Sequence, residues 1–403
     1  MAPGQTEDEL GYTPQHWEAR HEVARDVFVP WLDANVPLAG KTVLEYGSGN
    51  GAVSCAVAAR AGRLIGLDID EGAVGEASRR AAERGLDNLE LEVVAAEAIF
   101  DRVRAHAGEV DLLLFYAVLE HLTLDERLEA LRLAREVVRP DGLIAVIELP
   151  NRLVDTDYHT SLLPFFDQLP EELALAYVDR SPRADFRQQM LDARAADADG
   201  GRLALARWGT GASFHEFELV FGDLSRHVVG GGYDPMLLGD RKVHADETAL
   251  ARYLEGVRPD LPPPFSRYWI DILLSPTPIE PEANRLIRPW SMETRLSRRA
   301  RSTRWETIAL PKRRWLRVEA PAPTGRVVCV VTIGSERARL TLRAGGLRVT
   351  KEIAGEPAHP IVAELELERD ADSFTLAVSE ASSFQFVGFE LPAGSGTAIP
   401  SSE

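Results

Sequence analysis

Apolar and polar positions alternate in blocks along the first two thirds of the chain. Short β-branched and apolar runs at Thr42–Tyr46, Leu64–Asp68, Leu89–Val94 and Val110–Ala117 have the length and composition of buried strands. Between them, Ala52–Arg60 and Glu71–Arg84 read as helices, the second ended by Gly85. A further helix reaches Val138, and Leu143–Leu149 continues as a fifth strand after the turn Pro140-Asp141-Gly142. Strand and helix in strict alternation predict an α/β domain with a mostly parallel sheet. Upstream, Trp17, Val23, Val27, Phe28, Trp31 and Leu32 follow helical spacing, with Pro30 expected to kink or break the helix. From 305 to 392 the period changes to two. Val327–Ile333, Ala338–Arg343, Leu347–Thr350, Ile361–Leu367, Ser373–Val378 and Phe384–Leu391 read as short strands, and Gly345-Gly346 as a hairpin turn. That spacing predicts an all-β sandwich of jelly-roll type.

The first strand runs straight into a glycine-rich turn, Glu45-Tyr46-Gly47-Ser48-Gly49-Asn50-Gly51, and then a helix. Strand, glycine turn and helix open a nucleotide-binding α/β unit, because glycines allow a sharp turn and close approach of backbone to ligand. Asp68 ends the next strand 21 residues after Gly47, the place from which a carboxylate accepts hydrogen bonds from ribose hydroxyls. Gly47-x-Gly49-x-x-Ala52 also fits a loose dinucleotide fingerprint, so NAD is one candidate ligand. S-adenosylmethionine is the other. Glu45 lies two residues before the first glycine, and Gly47, Gly49 and Gly51 recur at every second position.

In those details the stretch resembles the first motif of class I S-adenosylmethionine-dependent methyltransferases. Val118-Leu119-Glu120-His121-Leu122 and the segment from Arg139 to Asn151 resemble small-molecule members of that family, with Asp141 where the family usually has a second glycine. The resemblance covers about 12–278 and implies a seven-stranded Rossmann-like sheet. Phe214–Phe221 would be its sixth strand and Tyr268–Leu274 its antiparallel seventh. It places Glu45 by the methionine end of the cofactor, has Gly47, Ser48, Gly49 and Gly51 line it, and gives the ribose to Asp68 with Ile69 beside it. It assigns Glu97 to the adenine amino group, and Tyr116 and Ala117 to the cofactor side of the fourth strand's end. Tyr12, His16, Trp17 and Arg20 belong either to a lid on the cofactor or to a helix on the sheet edge. The long insertion at about 152–213 is expected to be a helical lid over the substrate. The Asn-Pro-Pro-Tyr-type tetrapeptide of enzymes that methylate nucleobase amino groups is missing.

Methyl transfer to a hydroxyl needs a group that removes the hydroxyl proton. His159, in Asp155-Thr156-Asp157-Tyr158-His159 just after the fifth strand, is one candidate base. His121, at the start of a helix, and His215, beside Glu216, are the others. Asp155, Asp157, His159 and His215 would serve a divalent metal, but their spacing is not diagnostic, and no metal site is assigned. The expected activity is O-methylation of a sugar or natural-product hydroxyl. The alternatives are a carboxylate, nitrogen or carbon acceptor on a small molecule or peptide, and a non-methylating enzyme on the same fold.

Charge narrows the partners. A formal net charge of −18 over 403 residues argues against nucleic acid and anionic membrane as partners. The polar, acidic start does not read as a signal peptide, and no apolar run approaches the ~18 residues of a membrane span. With only Cys55 and Cys329, a disulfide framework is not expected and a cytoplasmic setting is. Pro276, Pro278 and Pro281 mark a boundary, so the expected division is a methyltransferase domain at 1–278, an arginine-rich linker at 279–304 and a β-sandwich at 305–395. The sandwich is read as a platform for a homodimer or a glycan contact.

Overall fold

The computed structural model describes residues 14–197, 200–238, 245–280, 294–295, 301–303, 307–309, 315–355, 360–379 and 384–390. Tyr12 and most of the arginine-rich stretch at 279–304 lie outside the described residues. The chain divides into two compact units, one of residues 1–228 and 268–279, the other of 229–267 and 280–403.

The first unit is built on β1 (Thr42–Tyr46), β2 (Arg63–Asp68), β3 (Leu89–Val93), β4 (Val110–Tyr116), β5 (Val138–Pro150) and β7 (Trp269–Leu274), and β6 (Val228–Gly231) starts at its boundary residue Val228. They form one sheet in the order β3-β2-β1-β4-β5-β7-β6. Strands β1 to β5 pair in parallel and β7 runs antiparallel to β5. The central strands are apolar on both faces: Val43, Leu44, Leu64, Leu112, Leu113, Leu114 and Ile144 are buried, as strands covered by helices on both sides must be. The strand order reverses between β1 and β4. Two neighbouring carboxyl ends therefore diverge there, and a crevice opens beyond them. Register sets Glu45 between Gly66 and Leu114, near the top of that crevice.

One local expectation is corrected. Phe214–Phe221 is not the sixth strand but a helix, preceded by Ser213 and ended by Gly222 at φ +77°. Its buried positions, Phe214, Phe217, Val220 and Phe221, fall three or four residues apart, and that helical period outweighs the β-propensity of its aromatic and branched residues. The sixth strand is the short Val228–Gly231. At Pro30 the regular α-helix is interrupted, as expected. The turn ahead of it, Ala24–Phe28, widens to π geometry, and the chain resumes as α-helix at Val29–Asn35. A wide turn there accommodates a residue with no N–H to donate.

The insertion after β5 is helical, with Glu171–Tyr177, Ala184–Ala196 and Gly200–Trp208 packed around Phe166, Phe186 and Met190. None of the described helices is long and apolar enough to cross a membrane.

The second unit is antiparallel. Its two longest strands, Trp315–Ile333 and Pro360–Ser379, pair along most of their length with register slips near Thr324. The described strands of this unit pair into one eight-stranded sheet, and Val327, Cys329, Val331, Leu340, Leu342, Leu365, Phe374 and Leu376 share one core. The hairpin Arg337–Ala344 to Leu347–Ala354 turns at Gly345-Gly346, both at positive φ, as that dipeptide predicts. Residues 229–267 belong to this unit. Ala251 is buried in the same core, and Arg267 donates to Glu247 at 3.1 Å and to the Gly232 carbonyl at 2.7 Å.

Candidate functional site

The glycine turn is pinned from both sides. The backbone N–H groups of Gly47 and Ser48 donate to the Leu67 carbonyl, at 2.8 and 3.1 Å. The Asp68 carboxylate accepts from Gly49 N at 2.7 Å and Asp70 N at 2.9 Å, which fixes its direction at the mouth of the crevice. Gly51 serves packing. At φ +77° a Cβ would stand 2.6 Å from Ala77 Cβ, so only glycine lets the helix after the turn close on the helix after β2. The N-terminal helix docks on the turn: the Trp17 indole donates to the Asn50 carbonyl at 2.9 Å, and Arg80 and Arg84 stack on its ring. That docking brings His16 and Arg20 to the crevice wall.

The crevice is a cavity of about 580 Å³. One end is formed by Glu45, Gly47, Ser48, Gly49, Asp68 and Ile69, with an apolar wall of Ala96, Ile99 and Phe100. Tyr116, Ala117 and Val118 form its middle, and Glu120, His121 and His159 the other end. The structure does not bring Glu97 there. It lies in the turn Ala96–Ala98 with its side chain exposed, while Ala96 faces the cavity. The buried Ser48 hydroxyl has no hydrogen-bond partner among the described residues.

Glu45 is fully buried and accepts from the Ser54 hydroxyl at 2.5 Å. Burial pushes its carboxyl up to about 8, against the pull of the Ser54 hydrogen bond and with a small push from Asp68. Between its ordinary 4.5 and about 8 the unfolded chain gives up this proton while the folded chain keeps it. Stability therefore falls as pH rises through that window. Glu45→Gln removes the titration, so the variant is expected to gain on the parent by up to about 1.4 kcal/mol per pH unit across the window. Urea midpoints at pH 5, 6.5 and 8 check this; a constant difference between the two proteins would refute it.

Near the carboxyl ends of two adjacent strands stand non-glycine residues in the left-handed region, Ala117 at φ +48°, which lines the cavity, and Glu148 at φ +61°. The Tyr116 hydroxyl donates to Glu148 at 2.7 Å, and Arg20 pairs with the same carboxylate at 2.8 Å. Strain of this kind persists only where its surroundings enforce it, and here it aims side chains of both strands at one place.

The far end is assembled from two segments. Glu120 and His121 follow β4, and His159 comes from the loop after β5. Glu120 is 1% exposed, and neither carboxylate oxygen has a hydrogen-bond partner among the described residues. Burial raises its carboxyl to about 7, with His159 the main opposing influence. Glu120 Oε1 lies 3.8 Å from His121 Nε2 and 3.9 Å from His159 Nε2. The His121 Nδ1 lies 3.0 Å from the Arg207 carbonyl, so that nitrogen carries the proton, and Arg207 donates in return to the His121 carbonyl at 2.8 Å. The His159 Nδ1 lies 2.9 Å from the Thr160 hydroxyl, which itself donates to the Gly209 carbonyl at 2.7 Å. The hydroxyl proton being so used, Nδ1 of His159 is the donor as well. Gly209 is there because of that ring: at φ +114° a Cβ would stand 2.5 Å from His159 Cε1.

Two residues brace this end. Arg127, 2% exposed, pairs with buried Glu216 at 2.9 Å and donates to the Leu119 carbonyl at 2.8 Å and the Thr210 carbonyl at 3.0 Å. Arg207 forks onto Glu126 at 2.7 Å on both arms and holds that carboxyl at about 2. His215 is not part of the constellation. It is exposed on the Phe214–Phe221 helix, stacked on Phe214, because that segment is helical and buries Glu216 instead. Asp157 is not positioned as a ligand either, since it accepts from the backbone N–H groups of His159, Thr160 and Ser161 and caps their turn. The metal set Asp155, Asp157, His159 and His215 is therefore not assembled. Sequence reasoning passed over Glu120, Arg127, Arg207 and Gly209. Only Glu120 had a local signal, its place in the Leu-Glu-His string.

Residues 43–142 match a family described as methyltransferase domain. The ubiquinone biosynthesis O-methyltransferase of Aromatoleum aromaticum is 30% identical over 132 residues, 33% of this chain and 53% of that protein. Its counterpart in Thiobacillus denitrificans is 30% identical over 141 residues, 33% of this chain and 58% of that protein. The chain thus spans a little over half the length of these curated relatives. Among solved structures, magnesium protoporphyrin IX methyltransferase from Synechocystis PCC 6803 aligns with a TM-score of 0.29 and 22% identity, over 38% of this chain and 67% of that one.

Proposed function

We propose that the first unit of this chain is a class I S-adenosylmethionine-dependent methyltransferase domain and that the protein methylates a hydroxyl oxygen of a small molecule, a sugar or natural product. The observation that carries the reading is that one cavity runs from the Asp68 and Glu45 end to the Glu120–His121–His159 end. The residues present fit the cofactor. Asp68 is held to receive ribose hydroxyls, and the unpartnered Ser48 hydroxyl offers a polar contact inside the cavity. Ile69, Ala96, Ile99 and Phe100 give an apolar wall for a base, and Glu45 lies toward the methionine end. S-adenosylmethionine supplies a methyl carbon on a positively charged sulfur, which departs with the bonding electron pair as an acceptor oxygen bonds to that carbon. The chain's part is to hold the acceptor in line and to take the hydroxyl proton out of the way. The His121 and His159 side chains, with Nδ1 protonated and Nε2 basic, stand at the end of the cavity where that proton is lost.

The test begins with calorimetric titration by S-adenosylmethionine and, separately, NAD. Binding of the first alone is expected. Methyl-labelled cofactor with a panel of hydroxylated small molecules should then give labelled ethers. His159→Ala is expected to leave cofactor affinity unchanged and to lower turnover by about 10²–10⁴-fold. Binding of NAD instead, or full turnover in the variant, would overturn the assignment it addresses.

A further inference from the structure

Among the described residues, Glu120, His121 and His159 each offer one potential ligand atom within 4.8 Å of the others. The 3.8 and 3.9 Å separations are too long for hydrogen bonds. They are close to what two ligands of one cation require. With metal–ligand bonds of about 2.0–2.2 Å, neighbouring donors stand roughly 3.0–3.5 Å apart. Closing the 3.8 and 3.9 Å separations by about 0.3–0.9 Å would bring the carboxylate and each imidazole onto a common ion.

The carboxylate gives an independent reason. Glu120 is 1% exposed, lines the cavity, and neither of its oxygens has a hydrogen-bond partner among the described residues. Burying a carboxylate so incurs a large desolvation cost that a cation would offset. The two rings are oriented as metal-ligating histidines are, with Nδ1 donating to a fixed oxygen and Nε2 presented as the basic atom. Gly209 clears the space for one ring, and the Arg207 carbonyl directs the other.

We propose that Glu120, His121 and His159 bind a divalent cation. Two imidazoles with one carboxylate favour a first-row transition ion or zinc over magnesium or calcium, which prefer all-oxygen sets. Three protein ligands leave coordination positions open toward the cavity. For the function this rests on the methyltransferase reading and replaces direct proton removal by either imidazole: the cation would hold the acceptor oxygen and acidify its hydroxyl, whose proton leaves to water. Binding of the ion itself does not depend on that reading.

Co²⁺ alone is the probe. The untagged full-length protein, stripped with a chelator, is titrated with Co²⁺ and followed by its visible d–d absorption. One equivalent is expected to saturate the parent. Glu120→Gln, His121→Ala and His159→Ala should each lose the band at the same concentrations, while His215→Ala keeps it. S-adenosylmethionine is titrated into the same proteins; unchanged affinity in the variants shows that they are folded. Absence of a stoichiometric band in the parent, a band undiminished in Glu120→Gln and His159→Ala, or full turnover after chelation would each overturn the proposal. A band that follows the three residues in a protein that binds no S-adenosylmethionine would leave the metal site standing and remove the methyltransferase reading.

Discussion

Arg127→Ala is expected to lower the stability of the protein by about 3–5 kcal/mol, the cost of leaving a buried ion without its partner. The pair it breaks, Arg127 with Glu216, is almost fully enclosed, with side chains 3% and 6% exposed. Solvent screening therefore offers little relief. Removing the guanidinium also deprives the Leu119 and Thr210 carbonyls of their donor. The double change Arg127→Met with Glu216→Leu removes both charges and should recover part of the loss, but not all, because those carbonyls stay unsatisfied. Urea denaturation of the three proteins measures this. A loss under about 1 kcal/mol in Arg127→Ala would mean that the pair is hydrated in solution as surface pairs are. The same arginine ties the segment carrying Glu120 and His121 to the base of the lid at Thr210. Turnover in Arg127→Ala should therefore fall even at temperatures where the variant remains folded.

Asp68→Ala is expected to weaken S-adenosylmethionine binding by roughly 10–150-fold, the equivalent of about 1.5–3 kcal/mol for losing charge-assisted hydrogen bonds. Part of the effect is indirect. The carboxylate also accepts from Gly49 N and Asp70 N, so its removal loosens the glycine turn. Asp68→Asn should do nearly as badly, because the two N–H groups use different carboxylate oxygens and an amide sets its NH₂ group against one of them. Calorimetry on the two variants tests this, and unaltered affinity in both would take the ribose away from Asp68.

What could be read from the sequence was local. The run from Thr42 through the glycines to Asp68 carries its meaning in a short stretch, since strand, turn and acid are each signalled by neighbours. Gly345-Gly346 is legible for the same reason. Phe214–Phe221 was misread because eight residues with three phenylalanines, a leucine and a valine satisfy strand propensity, and only the packing of its face decides for helix. Its flanking Ser213 and Gly222 were the available correction. Glu120 was present in the string that drew attention to His121 but had no assigned role. Its burial, and the approach of His159 from 39 residues away, are tertiary facts. Asp157 shows the converse. Next to a histidine it reads as a ligand or an orienting carboxylate, yet its oxygens are committed to three backbone N–H groups.

The course of the chain between the two units bears on how this protein can be taken apart. Residues 229–267 leave the first unit before its antiparallel strand β7 has been made, and Ala251 of that excursion is buried with Val327, Leu340 and Phe374. No single cleavage point separates the units. A truncation at 279 would keep the excursion but strip away the strands that cover Ala251, presenting an apolar face to solvent. An apparent loss of activity in such a fragment would report aggregation rather than a role for the β-domain. During synthesis the order is also constrained: β7 joins its sheet only after a stretch whose packing partners have not yet left the ribosome. A probe of either unit is better made by point substitution in the intact chain than by cutting it.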